Sequence, residues 1–323
     1  MKIAVAIPCY KVKKHVLNVI SRIPAIVDRI YAVDDACPES SGQWIEEHGN
    51  DPRLVVLYND ENQGVGGAVL RAYKEALADG MDIIVKVDGD GQMAPELIPL
   101  FIKPIMNSQC DYTKGNRFFR LESLESMPRV RLLGNAALSF ITKASCGYWN
   151  IMDPTNGYTA IHSAILRELP LEKISKRYFF ETDMLFRLNT VRAVVRDVPM
   201  DSLYEDEKSN LHIKTVLPEF IKNNMKRLVK RYGYSYWLRD FNIASIYSVL
   251  GALLLCISAI FGGYHWLIGN LHNELNSSGT VMLAALPVII GFQFLIAFLQ
   301  FDMANVPSEP LAPQLDSEIA EKN

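Results

Sequence analysis

The sequence predicts an α/β domain built on a mostly parallel sheet sandwiched by helices, followed by two membrane-spanning helices. Three observations predict it. Short β-type runs alternate with helical stretches through the first 115 residues, the pattern of βαβ units. The polar clusters fall where those runs end, and ligands bind at the carboxyl ends of strands in such sheets. From Phe241 to Asn273, and again from Leu275 to Phe301, there is no Asp, Glu, Lys or Arg, and about 20 apolar residues suffice to cross a bilayer.

The elements follow in order. Ile3–Ile7 is a β-rich run ending at Pro8, and Val16–Ile23 has helical spacing. Arg29–Val33 is a second strand that stops at Asp34-Asp35, and Ser40–His48 is a helix. Leu54–Tyr58 is a third strand, Gly67–Ala78 a helix of good formers, and Asp82–Val87 a fourth strand ending at Asp88-Gly89-Asp90. Pro95–Asn107 is a helix with proline near its first turn, and Asp111–Lys114 a fifth strand. Beyond it the pattern loosens: a mobile loop at Arg120–Pro128, helices at Arg131–Ser145 and Tyr178–Leu188, and a strand at Arg192–Val198. The expected boundaries are residues 1–212 for the α/β domain, 213–240 for a basic amphipathic helix at the membrane surface, 241–263 and 279–301 for the spans, and 302–323 for a disordered acidic tail rich in Pro and Glu.

Lys214, Lys222, Lys226, Arg227, Lys230, Arg231 and Arg239 precede the first span, whereas the Asn273–Ser278 loop has no Lys or Arg. The positive-inside rule then places the large N-terminal domain and the tail in the cytoplasm, with the chain a multi-pass protein of the cytoplasmic membrane. Ile3–Cys9 is too short for a signal peptide. A net charge of −3 and a pI near 6.1 argue against a nucleic-acid partner. The five cysteines are scattered without a Cys-x-x-Cys, so they read as free thiols of a reducing compartment and exclude a structural zinc site.

The central chemical signal is Lys86-Val87-Asp88-Gly89-Asp90-Gly91-Gln92. Two carboxylates one residue apart, at the end of an apolar strand, suit a hard cation such as Mg²⁺ or Mn²⁺ held against substrate phosphates; Asp-Gly alone also marks an ordinary turn. Asp34-Asp35 offers acceptors for a base or ribose, or caps a helix. Asn62-Gln63-Gly64-Val65-Gly66-Gly67 precedes a helix whose N-terminus favours anions. It follows strand three rather than strand one, so it is not a dinucleotide fingerprint.

The succession Ile7-Pro8-Cys9-Tyr10, Val33-Asp34-Asp35, Asn62-x-Gly64 and Asp88-x-Asp90-Gly-Gln92 resembles the family 2 glycosyltransferases of GT-A fold. With its two spans it is most similar to the polyprenyl-phosphate branch that includes dolichol-phosphate mannosyltransferase-like enzymes. The resemblance implies a nucleotide-diphosphate sugar donor, with Pro8, Tyr10, Gly64 and Asp35 or Asp34 lining the nucleoside pocket. It implies Asp88 at the ribose or diphosphate, Asp90 on Mg²⁺ or Mn²⁺, and Gln92 beside it. Lys114-Gly115-Asn116-Arg117 resembles the Gly-x-Arg segment whose arginine holds a phosphate, and Asp153–Tyr158 the Thr-x-Gly turn on the acceptor side.

Phe180-Glu181-Thr182-Asp183 resembles the segment in which family members keep a catalytic base. Glu181 and Asp183 do not share a helix face, and Asp183 is the favoured candidate. The implied reaction is an inverting transfer to polyprenyl phosphate at the cytoplasmic face. A hydroxyl of a lipid-linked glycan in polysaccharide synthesis stays open as acceptor, because Lys208-Ser209 differs in order from the branch's Gly-x-Ser-Lys stretch. A non-catalytic nucleotide-sugar-binding protein is the reading of another class. The bilayer and a second copy of the chain complete the expected partners.

Overall fold

The computed structural model describes residues 1–119, 129–200 and 213–322; the Arg120–Pro128 loop and the Lys208-Ser209 run lie outside them. The chain divides into two compact units, Met1–Val229 together with the stretch from Pro307 onward, and Lys230–Val306.

The strands of the first unit are β1 (Ile3–Cys9), β2 (Arg29–Asp34), β3 (Leu54–Tyr58), β4 (Ile83–Lys86), β5 (Tyr112–Asn116), β6 (Thr159–His162) and β7 (Val195–Pro199). Its helices are α1 (Val16–Ser21), α2 (Ser41–His48), α3 (Val65–Ala78), α4 (Ile98–Met106), α5 (Arg129–Cys146), α6 (Ser163–Glu168) and α7 (Phe180–Thr190), and α8 (Ile213–Gly233) belongs to it as far as Val229. The strands form one seven-stranded sheet of order β3-β2-β1-β4-β6-β5-β7. β1 pairs in parallel with β2 and β4, β2 with β3, and β5 with β7.

β4 is buried on both faces, which is why Ile83–Val85 reads as consecutive apolar residues rather than an alternating pattern. Ile3, Val5, Ile7, Ile30, Ile83, Val85, Ile98, Phe101 and Ile102 are among the buried core residues. β6 has no counterpart in the sequence reading. Four residues are too few to show a period, and the strand runs antiparallel to both β4 and β5. Its direction matters for the site: an antiparallel strand begins at the edge where the parallel strands end, so the turn before Thr159 is delivered to the ligand-binding edge.

In the second unit, α9 (Ile243–His272) and α10 (Ser278–Ala304) are long and apolar enough to cross a membrane. Only 28% and 6% of their most apolar windows are buried within the chain, so most of that apolar surface faces outward. Asn242 and Ser277 cap the two helices at their N-termini. Arg231 closes bidentately on Asp302 at 2.7 and 2.8 Å, and Tyr236 donates to the same carboxylate at 2.5 Å. Two buried charges are thus paired and hydrogen-bonded, the condition under which such charges are tolerated.

The tail departs from expectation. In place of disorder after residue 302, a helix α11 (Ala312–Lys322) forms, and the stretch from Pro307 onward groups with the first unit. Its start is capped from a distance. The buried Asp111 carboxylate accepts from Leu311 N at 2.9 Å and Ala312 N at 2.8 Å, and also from Val194 N at 2.7 Å. The first N–H groups of a helix lack intrahelical partners and favour a negative charge. His162 Nε2 lies 3.5 Å from Asp316. Composition predicted disorder because the tail has few apolar residues; the group that orders its start stands 200 positions earlier in the chain.

Candidate active site

The parallel strands deliver Pro8-Cys9-Tyr10, Asp34-Asp35 and Asp88-Gly89-Asp90 to one edge of the sheet. Two cavities open there. The first, of about 460 Å³, is lined by Lys86, Asp88, Asp90, Gln92, Arg117, Thr155, Asn156, Gly157 and Glu181, with an apolar side of Leu138, Met200, Leu217 and Phe220. The second, of about 470 Å³, is lined by Pro8, Tyr10, Asp35, Asn62, Gly64, Asp88, Asp90, Arg177 and Tyr178. Asp88 and Asp90 therefore stand on the wall common to both.

Three of these groups are tied together by one ammonium. Lys86 ends β4 with its side chain 1% exposed. Its Nζ lies 2.7 Å from Asp88 Oδ1 and 3.5 Å from Glu181 Oε1, and donates to the Gly157 carbonyl at 3.0 Å. Burial alone would lower its pKa, but Asp88 and Glu181 outweigh burial and raise it, so the group stays charged. Thr159 pairs in register with Lys86 on one side and with Lys114 on the other. Lys114 is also fully buried, and its Nζ donates to Asn156 O at 2.5 Å. Burial holds its pKa down at about 8. Two lysines thus collect consecutive carbonyls of the 153–157 turn. A Cβ at Gly157 would lie 2.6 Å from Lys86 Nζ and 2.9 Å from Asp88 Oδ2, so any larger residue there would push this pair from its place.

Arg117 reaches the first cavity with part of its fork closed on Asp153, Nε at 2.7 Å and Nη2 at 3.1 Å. It secures the same turn as well as facing the cleft. Gln92 lines the cavity, and its backbone N donates to Asp90 Oδ1 at 3.0 Å, fixing that carboxylate as an Asx-type turn does.

Asp35 lines the second cavity, and its carboxylate is aimed by Gln63 N at 2.9 Å, Gly64 N at 2.7 Å and Asn59 Nδ2 at 2.8 Å. Gly64 sits at φ +85° with Lys176 O only 2.8 Å from where a Cβ would be. It lets the α3 N-terminus meet the 175–178 loop.

Two sequence expectations are corrected. Asp34 does not line either cavity. Its oxygens accept from Cys37 N at 2.7 Å and Gly42 N at 2.5 Å, which is the helix-capping alternative. Asp183, the favoured base, is fully buried and lines neither cavity. Arg227 Nε lies 2.8 Å from it, Arg187 lies 3.6 Å away, and Ser175 N donates to it at 2.8 Å. These contacts hold the carboxylate away from both cavities. Glu181 is the member of the pair that faces the cleft. The sequence reading quoted Lys86 without giving it a role, although a lysine inside the apolar run Ile83–Val87 is itself the signal of a paired buried charge.

The donor set fits a divalent cation. Asp88 and Asp90 supply hard oxygens, and one oxygen of each is already oriented by the protein. Among the described residues no group of three or more His, Cys, Asp or Glu gathers round a common point. A cation at this wall would therefore complete its shell with substrate phosphate and water, as Mg²⁺ does in phosphate-handling sites.

Residues 4–170 match the family model described as glycosyl transferase family 2. The chain is 29% identical over 214 residues to the UDP-N-acetylglucosamine–dolichyl-phosphate N-acetylglucosaminyltransferase of Methanococcus voltae, covering 62% of this chain and 85% of that one. It is 26% identical over 277 residues to the dolichol-phosphate mannosyltransferase of Pyrococcus furiosus, covering 84% and 73%. Among solved structures, glucosyl-3-phosphoglycerate synthase from Mycobacterium tuberculosis, in complex with Mn²⁺, UDP and glucosyl-3-phosphoglycerate, superposes with a TM-score of 0.51. Its identity is 17%, over 71% of this chain and 79% of that one.

Proposed function

The chain belongs to glycosyl transferase family 2, and from that premise we propose that it moves a sugar from a nucleotide-diphosphate donor to a polyprenyl phosphate at the cytoplasmic face of a membrane. The observation that carries the reading is the wall of Asp88 and Asp90 between two cavities. The second cavity takes the nucleoside, with Asp35 accepting hydrogen bonds from it and Tyr10 and Pro8 flanking it. The first takes the acceptor.

Three carboxylates and two cations line the first cavity, so the bare cleft is negative by one charge. A divalent cation bound at Asp88 and Asp90 would reverse that sign and, when bound, would offset charge developing on the leaving diphosphate. An anionic acceptor oxygen then displaces the nucleotide diphosphate at the anomeric carbon with inversion. It needs no general base, because it carries no proton to lose. The protein's part is positioning: Arg117, Thr155 and Gly157 frame the acceptor, while Leu138, Leu217 and Phe220 offer an apolar side suited to the first isoprene units.

The relatives from Methanococcus voltae and Pyrococcus furiosus differ in the sugar named and share dolichol phosphate, which favours a lipid phosphate over a glycan hydroxyl. The hydroxyl alternative keeps one supporting observation: Glu181 faces the same cavity and has the chemistry of a base. The two apolar helices and the basic residues before the first of them support a membrane anchorage with the catalytic unit in the cytoplasm.

Membranes containing the protein, incubated with a panel of labelled nucleotide sugars, should pass label to added undecaprenyl or dolichyl phosphate. An impermeant thiol reagent applied to intact cells should label a cysteine placed at Ser277 and spare one at Ser317. Label that appears only on glycan, whatever lipid phosphate is added, would refute the acceptor; the reverse labelling pattern would refute the orientation.

A further inference from the structure

We propose that Lys86 is a positioning residue that cancels the charge of Glu181, so that a cleft walled by carboxylates admits an anionic acceptor. The inference rests on the polyprenyl-phosphate reading above and assigns a residue to its selectivity.

The geometry leaves the ammonium little choice. With a side chain 1% exposed, Lys86 has no bulk water to satisfy it, and a lysine offers three N–H donors. Three acceptors stand round Nζ: Asp88 Oδ1 at 2.7 Å, Glu181 Oε1 at 3.5 Å and Gly157 O at 3.0 Å. They come from the end of β4, the first turn of α7 and the turn before β6. The same three residues line the acceptor cavity. Lys114, also buried, does not line it and spends a donor on Asn156 O. Gly157 keeps the seat open, because a Cβ there would come within 2.6 Å of Nζ.

Removing the ammonium has opposite consequences on the two sides. On the acceptor side, Glu181 loses the ammonium 3.5 Å away, keeps the weaker field of Lys114, and faces the incoming phosphate with more negative charge. On the donor side, Asp88 loses a cationic neighbour, which favours a metal ion. A residue that merely holds the fold together would weaken both sides alike. This difference of sign makes the role testable by binding alone, without turnover.

The experiment uses the purified full chain loaded with Mn²⁺ and measures binding of farnesyl phosphate and of farnesol by equilibrium dialysis, with Mn²⁺ affinity followed by electron paramagnetic resonance. Lys86→Met should weaken farnesyl phosphate about 10- to 100-fold, the effect of one unscreened charge at close range in a site of intermediate dielectric. Farnesol should change less than about twofold, a difference too small to reflect a charge–charge term, and Mn²⁺ affinity should not fall.

Lys86→Met/Glu181→Gln removes both charges; the carboxylate that still loses Lys86, Asp88, has a side chain 27% exposed and so is not a fully buried unpaired charge, and the double variant should recover most of the loss. Equal losses for both ligands, no recovery in the double variant, or unchanged farnesyl phosphate binding in the single variant would overturn the role of Lys86 while the wild type's preference for farnesyl phosphate stands. A wild type that binds farnesol as well as farnesyl phosphate would overturn both the acceptor reading and this inference.

Discussion

Replacing Asp183 by asparagine should cost stability and leave chemistry nearly intact. The carboxylate is fully buried and holds Arg227 at 2.8 Å and Arg187 at 3.6 Å, and it accepts from Ser175 N at 2.8 Å. An amide oxygen keeps the bond from Ser175. It cannot neutralise two guanidinium groups whose side chains are only 14% and 6% exposed. Breaking a buried pair by removing one partner costs about 3–5 kcal/mol, and the retained hydrogen bond together with the partial exposure of Arg227 places this case near the lower end, about 3 kcal/mol. For a unit of this size each kcal/mol moves the midpoint by about 2–4 °C, so the expected fall is roughly 6–12 °C. The assay is thermal unfolding of wild type and variant in the same detergent, with turnover measured well below both midpoints. Turnover per folded molecule should stay within about threefold, against the roughly 10²–10⁴-fold that loss of a catalytic base costs. An unchanged midpoint with turnover down a hundredfold would return Asp183 to the role of base and refute the geometric argument.

Asp90→Asn should leave the fold intact, remove most transfer and weaken Mn²⁺ binding at least about tenfold, since an amide cannot neutralise a divalent ion; full activity in excess chelator would contradict it. Lys114 predicts a pH dependence. Its pKa of about 8, against 10.5 ordinarily, means that the unfolded chain binds the extra proton above pH 8. Stability should therefore rise with pH from about 8 to 10, by up to about 1.4 kcal/mol per unit. Chemical unfolding of Lys114→Met over the same range should lack that rise. Asp111→Ala should destabilise the first unit by about 1–3 kcal/mol through lost capping and unsatisfied N–H groups, and amide exchange at Leu311 and Ala312 should become fast; unchanged protection there would contradict the docking of α11.

What could be read from the sequence follows what short-range pattern encodes. The ends of β1, β2 and β4 were legible because an apolar run that stops at a polar cluster is a local signal, and Asp88-Gly-Asp90 carries its chemistry within three residues. Orientation was not legible. Asp34 and Asp35 are neighbours at a strand end, and neighbours point to opposite sides, so the pattern gives one ligand and one cap without saying which. Glu181 and Asp183 pose the same question on a helix, and the answer lies in Arg227, 44 positions away. β6 escaped because four residues carry no period, yet its reversed direction is what brings Gly157 to Lys86. The docked tail escaped because its cap is Asp111. In each case the missing information was a partner distant in sequence.

The account stands most directly on the atom that receives the sugar. Phosphorus NMR of the lipid product, made from an added polyprenyl phosphate and one accepted nucleotide sugar, reads that atom. A phosphodiester whose phosphorus couples to the anomeric proton, in the configuration opposite to the donor's, is the predicted result. A phosphorus that remains a monoester, with the sugar found on a glycan hydroxyl instead, would contradict it.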